Sequence, residues 1–227
     1  MLQQYDFQEP HLVAIDNVVF GYEQGQLKLL LFQRTIEPSK GDWSLVGGWV
    51  NPDESVEDAA YRVLTSLTGL SDLFMEQVEV FSKPDRDPGG RVISVVFYAL
   101  INIQEHNHQL VDHYGAKWWP VNDLPPLIFD HGKMAEVALE KLRMKASRDL
   151  VGRDLLPAEF TLTQLRNLYN CIFMKEFDPG NFRKKILSLN ALRRLDKKDT
   201  SESKKGAYYY TFKNIETDQF TERIINF

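Results

Sequence analysis

A loop followed by a helix, between Gly47 and Gly69, carries the first residues whose types and spacing could do chemistry. Gly47 and Gly48 permit a tight turn of the backbone, and Glu54 in the loop can form an ion pair with Arg62 on the helix. Carboxylate oxygens on such a helix are ligands that Mg²⁺ prefers, and a bound metal ion can activate water. A loop and helix that lack a metal site can still form the scaffold of a binding site.

A second group of candidate residues lies near the end of the chain, where the pattern is a helix, a turn and a basic second helix. A basic second helix of this kind can enter the major groove of DNA. Arginine or asparagine paired with base edges contributes about 1–3 kcal/mol of discrimination per good pair, whereas lysines on a following hairpin contact phosphates. The candidate DNA-binding residues are Asn181, Arg183, Lys184, Lys185, Ser188, Lys197, Lys198, Lys204 and Lys205.

The two parts of the chain carry opposite charge. Residues 1–150 hold 13 basic and 22 acidic residues, a net charge of −9, and residues 151–227 hold 14 and 10, a net charge of +4. Within 181–213 the count is 10 against 3, a net charge of +7. Together with a change of composition at 149–157, this predicts two domains, 1–150 and 151–227. Only the second is expected to meet a polyanion, with a solvated basic surface as the alternative.

The remaining bulk features predict a cytoplasmic protein. No apolar run approaches the roughly 18 residues that a membrane span needs, and the first residues lack the basic and apolar stretches of a signal peptide. Cys171 has no second cysteine with which to form an intramolecular disulfide, which fits a reducing compartment. Its apolar helical surroundings predict a buried, inert thiol.

Strands and helices alternate over the first two thirds of the chain, which predicts an α+β fold, an α/β sandwich around a mixed sheet. Ser55 and Asp58 form an N-terminal capping signal for a helix that Gly69 ends. The other elements predicted here are a hairpin of strands 12–20 and 27–32 turning at Gly25, strands 43–50, 78–81 and 92–103, an edge strand 118–121, and a long helix from 131 to about 148.

The tail has its own helix and hairpin signals. Thr161 and Gln164 form a second capping pair, and Asp178 before a proline starts the next helix. A hairpin with basic residues at its tip is predicted over 204–212, and the polar stretch 196–205 is expected to be mobile. The residues expected on the buried side of the second helix are Phe182, Ile186 and Leu189.

The segment Gly48–Leu70 resembles the Nudix signature: a glycine, five residues, a glutamate, seven residues, then Arg-Glu-apolar-x-Glu-Glu-x-Gly-apolar. The residues in register are Gly48, Glu54, Arg62, Leu64, Gly69 and Leu70. Residues 41–45, 85–94 and 124–131 are also similar to segments of this family, and 85–94 looks like one common in ADP-ribose-type members. The resemblance covers about residues 8–148 and implies the Nudix fold.

Three helix positions depart from that signature in a way that removes its chemistry. Val63, Ser66 and Leu67 stand where the family has glutamates. Valine, serine and leucine cannot supply hard, charged oxygen ligands for Mg²⁺, and the nearby Glu57 and Asp58 do not restore the constellation. We therefore predict a catalytically inactive domain without catalytic residues, metal or cofactor.

The resemblance also implies a ligand cavity lined by cationic and aromatic side chains. Arginine there could bind phosphate, and Trp43 could stack on a sugar or base, although a core position explains it equally well. For the charged residues the alternative is a surface ion pair. The candidate ligand-binding residues are Arg34, Trp43, Lys83, Asp85, Arg86 and Arg91.

Residues 160–169 and 181–188 are similar to the winged-helix domain attached to Nudix-related transcriptional regulators of the NrtR and AraR type. The resemblance implies a homodimer that binds a double-stranded DNA operator under the control of a small-molecule effector. One set of these regulators senses ADP-ribose and controls NAD synthesis, and another senses L-arabinose and controls sugar use. Because a free pentose needs no pyrophosphate site, loss of the glutamates favours L-arabinose, whereas segment 85–94 favours ADP-ribose.

Two interpretations from other classes stay open at this point. The first is a Nudix hydrolase of ADP-ribose or a sugar nucleotide, with its metal held by unconventional carboxylates; Mg²⁺-dependent phosphate release would establish it. The second is a protein-interaction module whose basic tail docks an acidic partner, and absence of any selectivity for duplex DNA would favour it.

Overall fold

The strand β1 (Leu12–Glu23) runs through the centre of a mixed sheet, and the N-terminal part of the chain is arranged around it. It pairs in antiparallel fashion with β2 (Gln26–Gln33) and in parallel with β6 (Val92–Asn102). The computed structural model describes residues 9–69, 73–103, 115–201 and 205–213.

Four more strands of the described residues complete this sheet. They are β3 (Trp43–Ser44) and β7 (Ala116–Pro120) against β2, β4 (Val46–Trp49) against β1, and β5 (Phe74–Phe81) against β6. Gln24 and Gly25, with φ of 51° and 77°, form the two-residue turn of the predicted β1–β2 hairpin. The predicted edge strand is β7.

Helices cover both faces of the sheet, α1 (Val56–Thr68) on one and α2 (His131–Ala146) on the other. Successive residues of a strand point to opposite faces, so Ile15 packs with α1 and Val18 with α2, and both are fully buried. The predicted α/β sandwich is confirmed.

The helix that follows the glycine loop begins and ends where its sequence signals predict. The side chain of Ser55 accepts a hydrogen bond from the Asp58 N–H at 3.1 Å, and the Asp58 carboxylate accepts one from the Ser55 N–H at 3.3 Å. Gly69 ends α1 in the left-handed region, with φ of 68°.

The C-terminal part is a winged helix, as predicted. It contains β8 (Phe160–Thr161), α3 (Leu162–Phe173), α4 (Pro179–Ser188), β9 (Leu192–Asp199) and β10 (Ala207–Phe212). The three strands form one antiparallel sheet in the order β8-β10-β9. Of the apolar residues expected inside, Phe182 and Ile186 are buried, and Leu189 is half-buried at the end of α4.

The hairpin of the winged helix differs from the sequence-based prediction. Residues 196–199, expected to be mobile, belong to β9, and the hairpin joins β9 to β10 instead of lying within 204–212. The polar strand is held by its ladder to the tyrosine-rich β10, and the ammonium group of Lys198 lies 4.6 Å from the ring centre of Tyr208. Lys204 lies outside the described residues.

The two parts of the chain share one apolar core, because α3 packs on α2. Leu142 of α2 and Leu168 of α3 belong to the same buried cluster. The Tyr169 hydroxyl donates to the carbonyl of Asp149 at 3.0 Å, and the Arg143 Nε donates to the carbonyl of Ile172 at 2.8 Å. The winged helix is therefore fixed to the sheet domain through the last turns of α2.

Cys171 lies at the same contact. It is half-buried, less than predicted, and its Sγ lies 3.0 Å from the carbonyl oxygen of Gly25. Burial raises the pKa of this thiol, which keeps it in the unreactive protonated form. Within the described residues, no helix is both long enough and apolar enough to span a membrane.

We expect Leu142→Ala to destabilise both parts of the chain together, because its side chain fills the core that they share. Truncating a buried leucine to alanine costs about 2–5 kcal/mol. The variant should therefore unfold at a lower urea concentration, and both parts of the chain should unfold in a single transition. Met144→Ala, at an exposed position of the same helix, should leave the midpoint nearly unchanged. Two separate transitions, with only one displaced, would show that the parts unfold independently.

Candidate functional site

A cleft of about 280 Å³ opens beside the glycine loop, at the start of α2. β1 and β4 form its floor, and the segments after β2 and β5 form its walls. Its rim includes Ile36 and Trp49, large apolar side chains that are 57% and 49% exposed. The cleft thus combines an apolar rim with the charged interior described next.

A buried group of charges occupies the inner end of the cleft. Arg86 donates two hydrogen bonds to Asp130, from Nε to Oδ2 at 2.9 Å and from Nη2 to Oδ1 at 2.8 Å. The same Nη2 lies 4.0 Å from Oδ2 of Asp16, and that carboxylate oxygen accepts a hydrogen bond from the Ser94 hydroxyl at 2.5 Å. The positive charge of Arg86 is therefore matched by two carboxylates.

His131, the first residue of α2, completes this group as a neutral side chain. Its Nδ1 accepts a hydrogen bond from the Leu45 N–H at 3.1 Å, and its Nε2 lies 3.7 Å from Oδ1 of Asp16. Burial lowers the pKa of His131 and outweighs the opposite effect of Asp16. The imidazole therefore positions the start of α2 and adds no charge to the cleft at neutral pH.

Arg34 provides the second guanidinium group of the cleft. Its Nε donates to the carbonyl of Pro38 at 2.6 Å, and its guanidinium carbon lies 5.6 Å from the ring centre of Phe129. A guanidinium fixed in this way suits planar recognition of a phosphate or carboxylate.

The structure brings two of the six predicted ligand-binding residues to the cleft, Arg34 and Arg86. Trp43 instead packs edge-on against Trp119, with ring centres 5.3 Å apart, on the core side of the sheet. The other three lie outside the lining: Lys83 and Asp85 are exposed, and Arg91 donates to the carbonyl of Ser82.

Sequence reasoning missed several residues of the cleft, including Asp16 from β1 and Trp49 from β4. It also missed Asp130, the residue before α2, which binds the cleft residue Arg86. No short motif links them, since the fold alone brings them together. The available signal for Asp16 was a carboxylate inside the mostly apolar run 12–20, because an unpaired charge is costly to bury.

The helix position at which Nudix enzymes have their first glutamate is filled by an apolar contact. Val63 is buried, and a Cβ built on Gly48 would lie 2.6 Å from its Cγ2. Ser66 uses its hydroxyl to hydrogen-bond the Val63 carbonyl at 3.0 Å. Across the described parts of the chain, no group of three or more histidine, cysteine or acidic residues is placed to hold a metal ion.

Glu54 and Arg62 join the loop to the helix, as their spacing predicts. Arg62 Nε donates to Glu54 at 2.8 Å, and its Nη2 also donates to the Trp49 carbonyl at 2.9 Å. The Asn51 N–H donates to Glu54 at 2.8 Å. The hydrogen bond from Arg62 is the largest cause that lowers the pKa of Glu54 to about 2.

The second candidate site is the exposed face of α4. The Asp178 carboxylate caps this helix by accepting from the Asn181 N–H at 2.8 Å. The predicted side chains on it are Asn181, Arg183, Lys184 and Ser188, which are exposed, and Lys185, which is half-buried. The Ser188 hydroxyl donates to the carbonyl of Lys185 at 2.7 Å. All five predicted helix residues therefore lie on α4, and four of them are exposed to solvent.

The hairpin beside α4 adds more positive charge. Lys197, which is paired with Glu159 at 2.5 Å, Lys198 and Lys205 are exposed there. Sequence reasoning missed Arg193 and Arg194, also exposed on β9. The Arg194 guanidinium lies 4.5 Å from the ring centre of Tyr208. Helix α4 and β9 each expose basic side chains of the kind that bind a polyanion.

The fold and these two sites define a class: a Nudix domain that carries a winged-helix DNA-binding domain. Family comparisons give the same division, because the NUDIX domain family matches residues 10–138 and the NrtR DNA-binding winged helix domain matches residues 152–212.

The chain is similar to the ADPR responsive transcriptional repressor NtrR of Acinetobacter baylyi, with 30% identity over 92% of this chain and 85% of that protein. The structure of Shewanella oneidensis NrtR complexed with a 27mer DNA is similar with a TM-score of 0.83 and 31% identity, over 93% of this chain and 98% of that one. The NUDIX domain of the same Shewanella protein, complexed with ADP ribose, has a TM-score of 0.55 and 35% identity, over 62% and 96%. The chain belongs to the NrtR family of transcriptional regulators, and the resemblance inferred from its motifs is confirmed.

We expect Glu54→Gln to remove a pH-dependent part of the stability. The pKa of Glu54 falls from 4.5 to about 2 on folding, so the stabilisation by its ion pair is complete above pH 4.5 and is lost as the pH falls toward 2. The difference in free energy of unfolding between wild type and variant should therefore shrink between pH 6 and pH 3. A constant difference over that range would contradict this assignment.

Proposed function

We propose that this protein is a DNA-binding transcriptional repressor whose Nudix cleft binds ADP-ribose and which controls genes of NAD metabolism. One observation mainly supports the proposal. The chain has an arginine-lined cleft and a basic winged helix, and one continuous buried core joins the two parts that contain them. Such a connection allows occupancy of the cleft to influence the DNA-binding surface.

The chemistry of the cleft supports ADP-ribose as the effector. Arg34 and Arg86 can bind the two phosphates without a metal, and the exposed Trp49 at the rim offers a face on which a base or sugar can stack. Two of the related proteins named above are described with ADP-ribose, as a responsive repressor and as a complex of its NUDIX domain.

The prediction of L-arabinose as effector receives no support from these relatives, and we replace it. It rested on the loss of the helix glutamates, on the premise that a pyrophosphate site needs them. Guanidinium groups neutralise a diphosphate directly, so the loss of metal ligands does not count against a nucleotide effector.

We infer that the cleft binds its ligand without hydrolysing it. Val63, at a position where the signature has a glutamate, is buried against Gly48. The Ser66 hydroxyl donates to a carbonyl of its own helix. Loss of groups that act together removes nearly all turnover, so ADP-ribose should remain intact during long incubation with Mg²⁺. Steady release of phosphate-containing products would restore the hydrolase interpretation.

For the DNA-binding surface, we infer that α4 reads base edges and that the hairpin contacts phosphates. Arg193 and Arg194 join the predicted residues on β9. In this proposal, residues 1–150 bind the effector and residues 151–227 bind DNA, the two domains that the sequence predicts. A homodimer would place two copies of α4 on successive major grooves of a pseudo-palindromic operator.

Thermal unfolding with candidate effectors tests the ligand. At about 100 times its dissociation constant a ligand stabilises by about 2.7 kcal/mol, which corresponds to several degrees for a protein of this size. We expect ADP-ribose to raise the melting temperature and L-arabinose to leave it unchanged. Arg34→Ala should reduce the shift, whereas Lys83→Ala, an exposed position outside the cleft, should not. A shift with arabinose alone would reverse the assignment.

DNA binding measured against salt concentration tests the second site. Lys198→Ala should weaken binding to all duplexes and reduce the slope of log K against log salt by about 1, the loss of one phosphate contact. Arg183→Ala should also relax the preference for operator over unrelated DNA, by about 1–3 kcal/mol. Lys133→Ala, exposed on α2, serves as the charge-matched control. A flat salt response in the wild type would contradict DNA binding and favour a protein partner.

A further inference from the structure

Asp130 occupies the position at which an acidic side chain usually caps a helix, and it does not cap. It directly precedes α2, yet its side chain makes no capping hydrogen bond, and the first turn of α2 contains no acidic residue. The N–H groups of a first helical turn need acceptors. Both oxygens of Asp130 are instead bound by Arg86.

The same guanidinium is the cation that a ligand would meet inside the cleft. Its charge is already matched by Asp130 and Asp16, so a phosphate can gain full pairing only by displacing one of them. Asp16 is buried and held by Ser94. Asp130 is a quarter exposed and has α2 N–H groups beside it as alternative donors, so Asp130 is the one to be displaced.

Helix α2 connects this pair to the DNA-binding part of the chain. With 16 residues it spans about 24 Å. Near its other end the Arg143 Nε donates to the Ile172 carbonyl at 2.8 Å, in the last turn of α3. Leu142 and Ala146 lie in the core shared with the winged helix. A change at the start of α2 therefore acts on an element that holds α3.

We propose that the Arg86–Asp130 pair is a latch: the phosphate of the effector displaces Asp130 from Arg86, and the freed start of α2 changes the position of the winged helix. The proposal rests on the proposed function and adds the residue that competes with the ligand. Since coupling between two sites is reciprocal, opening the latch by mutation should alter effector affinity and DNA affinity together.

Asp130→Asn tests the latch, because it removes the charge that holds Arg86 with little change of shape. We expect the dissociation constant for ADP-ribose to fall by about fivefold or more. The DNA affinity of the ligand-free variant should move toward that of the ligand-bound wild type. Asp123→Asn makes the same change of charge at an exposed position outside the cleft and should change neither. If the two variants behave alike, the latch does not exist.

Arg143→Met tests the connection to the winged helix. ADP-ribose should still raise the melting temperature of this variant, but its effect on DNA affinity should shrink by about fivefold or more. Arg143→Lys keeps a hydrogen-bond donor and should retain part of the effect of ADP-ribose on DNA affinity. An undiminished effect of ADP-ribose on DNA affinity in Arg143→Met would overturn the route through α2.

The wild type separates failure of the latch from failure of the proposed function. If wild-type protein binds neither ADP-ribose nor duplex DNA, the proposed function is wrong. If it binds DNA but not ADP-ribose, the effector is wrong, and the latch is judged by whether Asp130→Asn alone changes DNA affinity relative to Asp123→Asn.

Discussion

The structure around the cleft depends on the burial of one guanidinium group. Arg86 is buried at the inner end of the cleft, and a buried charge is tolerated only when it is paired and hydrogen-bonded. Its partners come from distant parts of the chain, Asp16 from the central strand and Asp130 from the residue before α2. The Arg86–Asp130 pair therefore fixes the segment after β5 against the start of α2. With Asp16, it also sets the charge at the inner end of the cleft.

The contact between the glycine loop and α1 lies beside the same cleft. In this chain the contact between the glycine loop and α1 is made by Val63 against Gly48, and the loop is held further by Glu54 and Arg62. An apolar contact and one ion pair thus hold the glycine loop against α1.

The shared core distinguishes this protein from two domains joined by a linker. Helix α2 begins at the cleft and ends against α3, with Leu142 and Leu168 in one buried cluster. A helix that begins at the cleft and packs against the winged helix is a physical means of coupling the two sites. The charge distribution fits the same arrangement, because the acidic part holds the ligand cleft and the basic residues are concentrated on α4 and β9.

The sequence by itself determined the features that depend on neighbouring residues: the capped starts of α1 and α3, the glycine that ends α1, the Glu54–Arg62 bridge, and the basic helix of the tail. Tertiary structure alone decided which residues line the cleft. It packed Trp43 against the core, left Lys83 and Asp85 outside the cleft, and brought in Asp16 and Trp49. It also ordered the polar strand β9, whose backbone is satisfied by β10. Local signals act through hydrogen bonds a few residues apart, whereas the cleft and the hairpin are formed by partners that only the folded chain brings together.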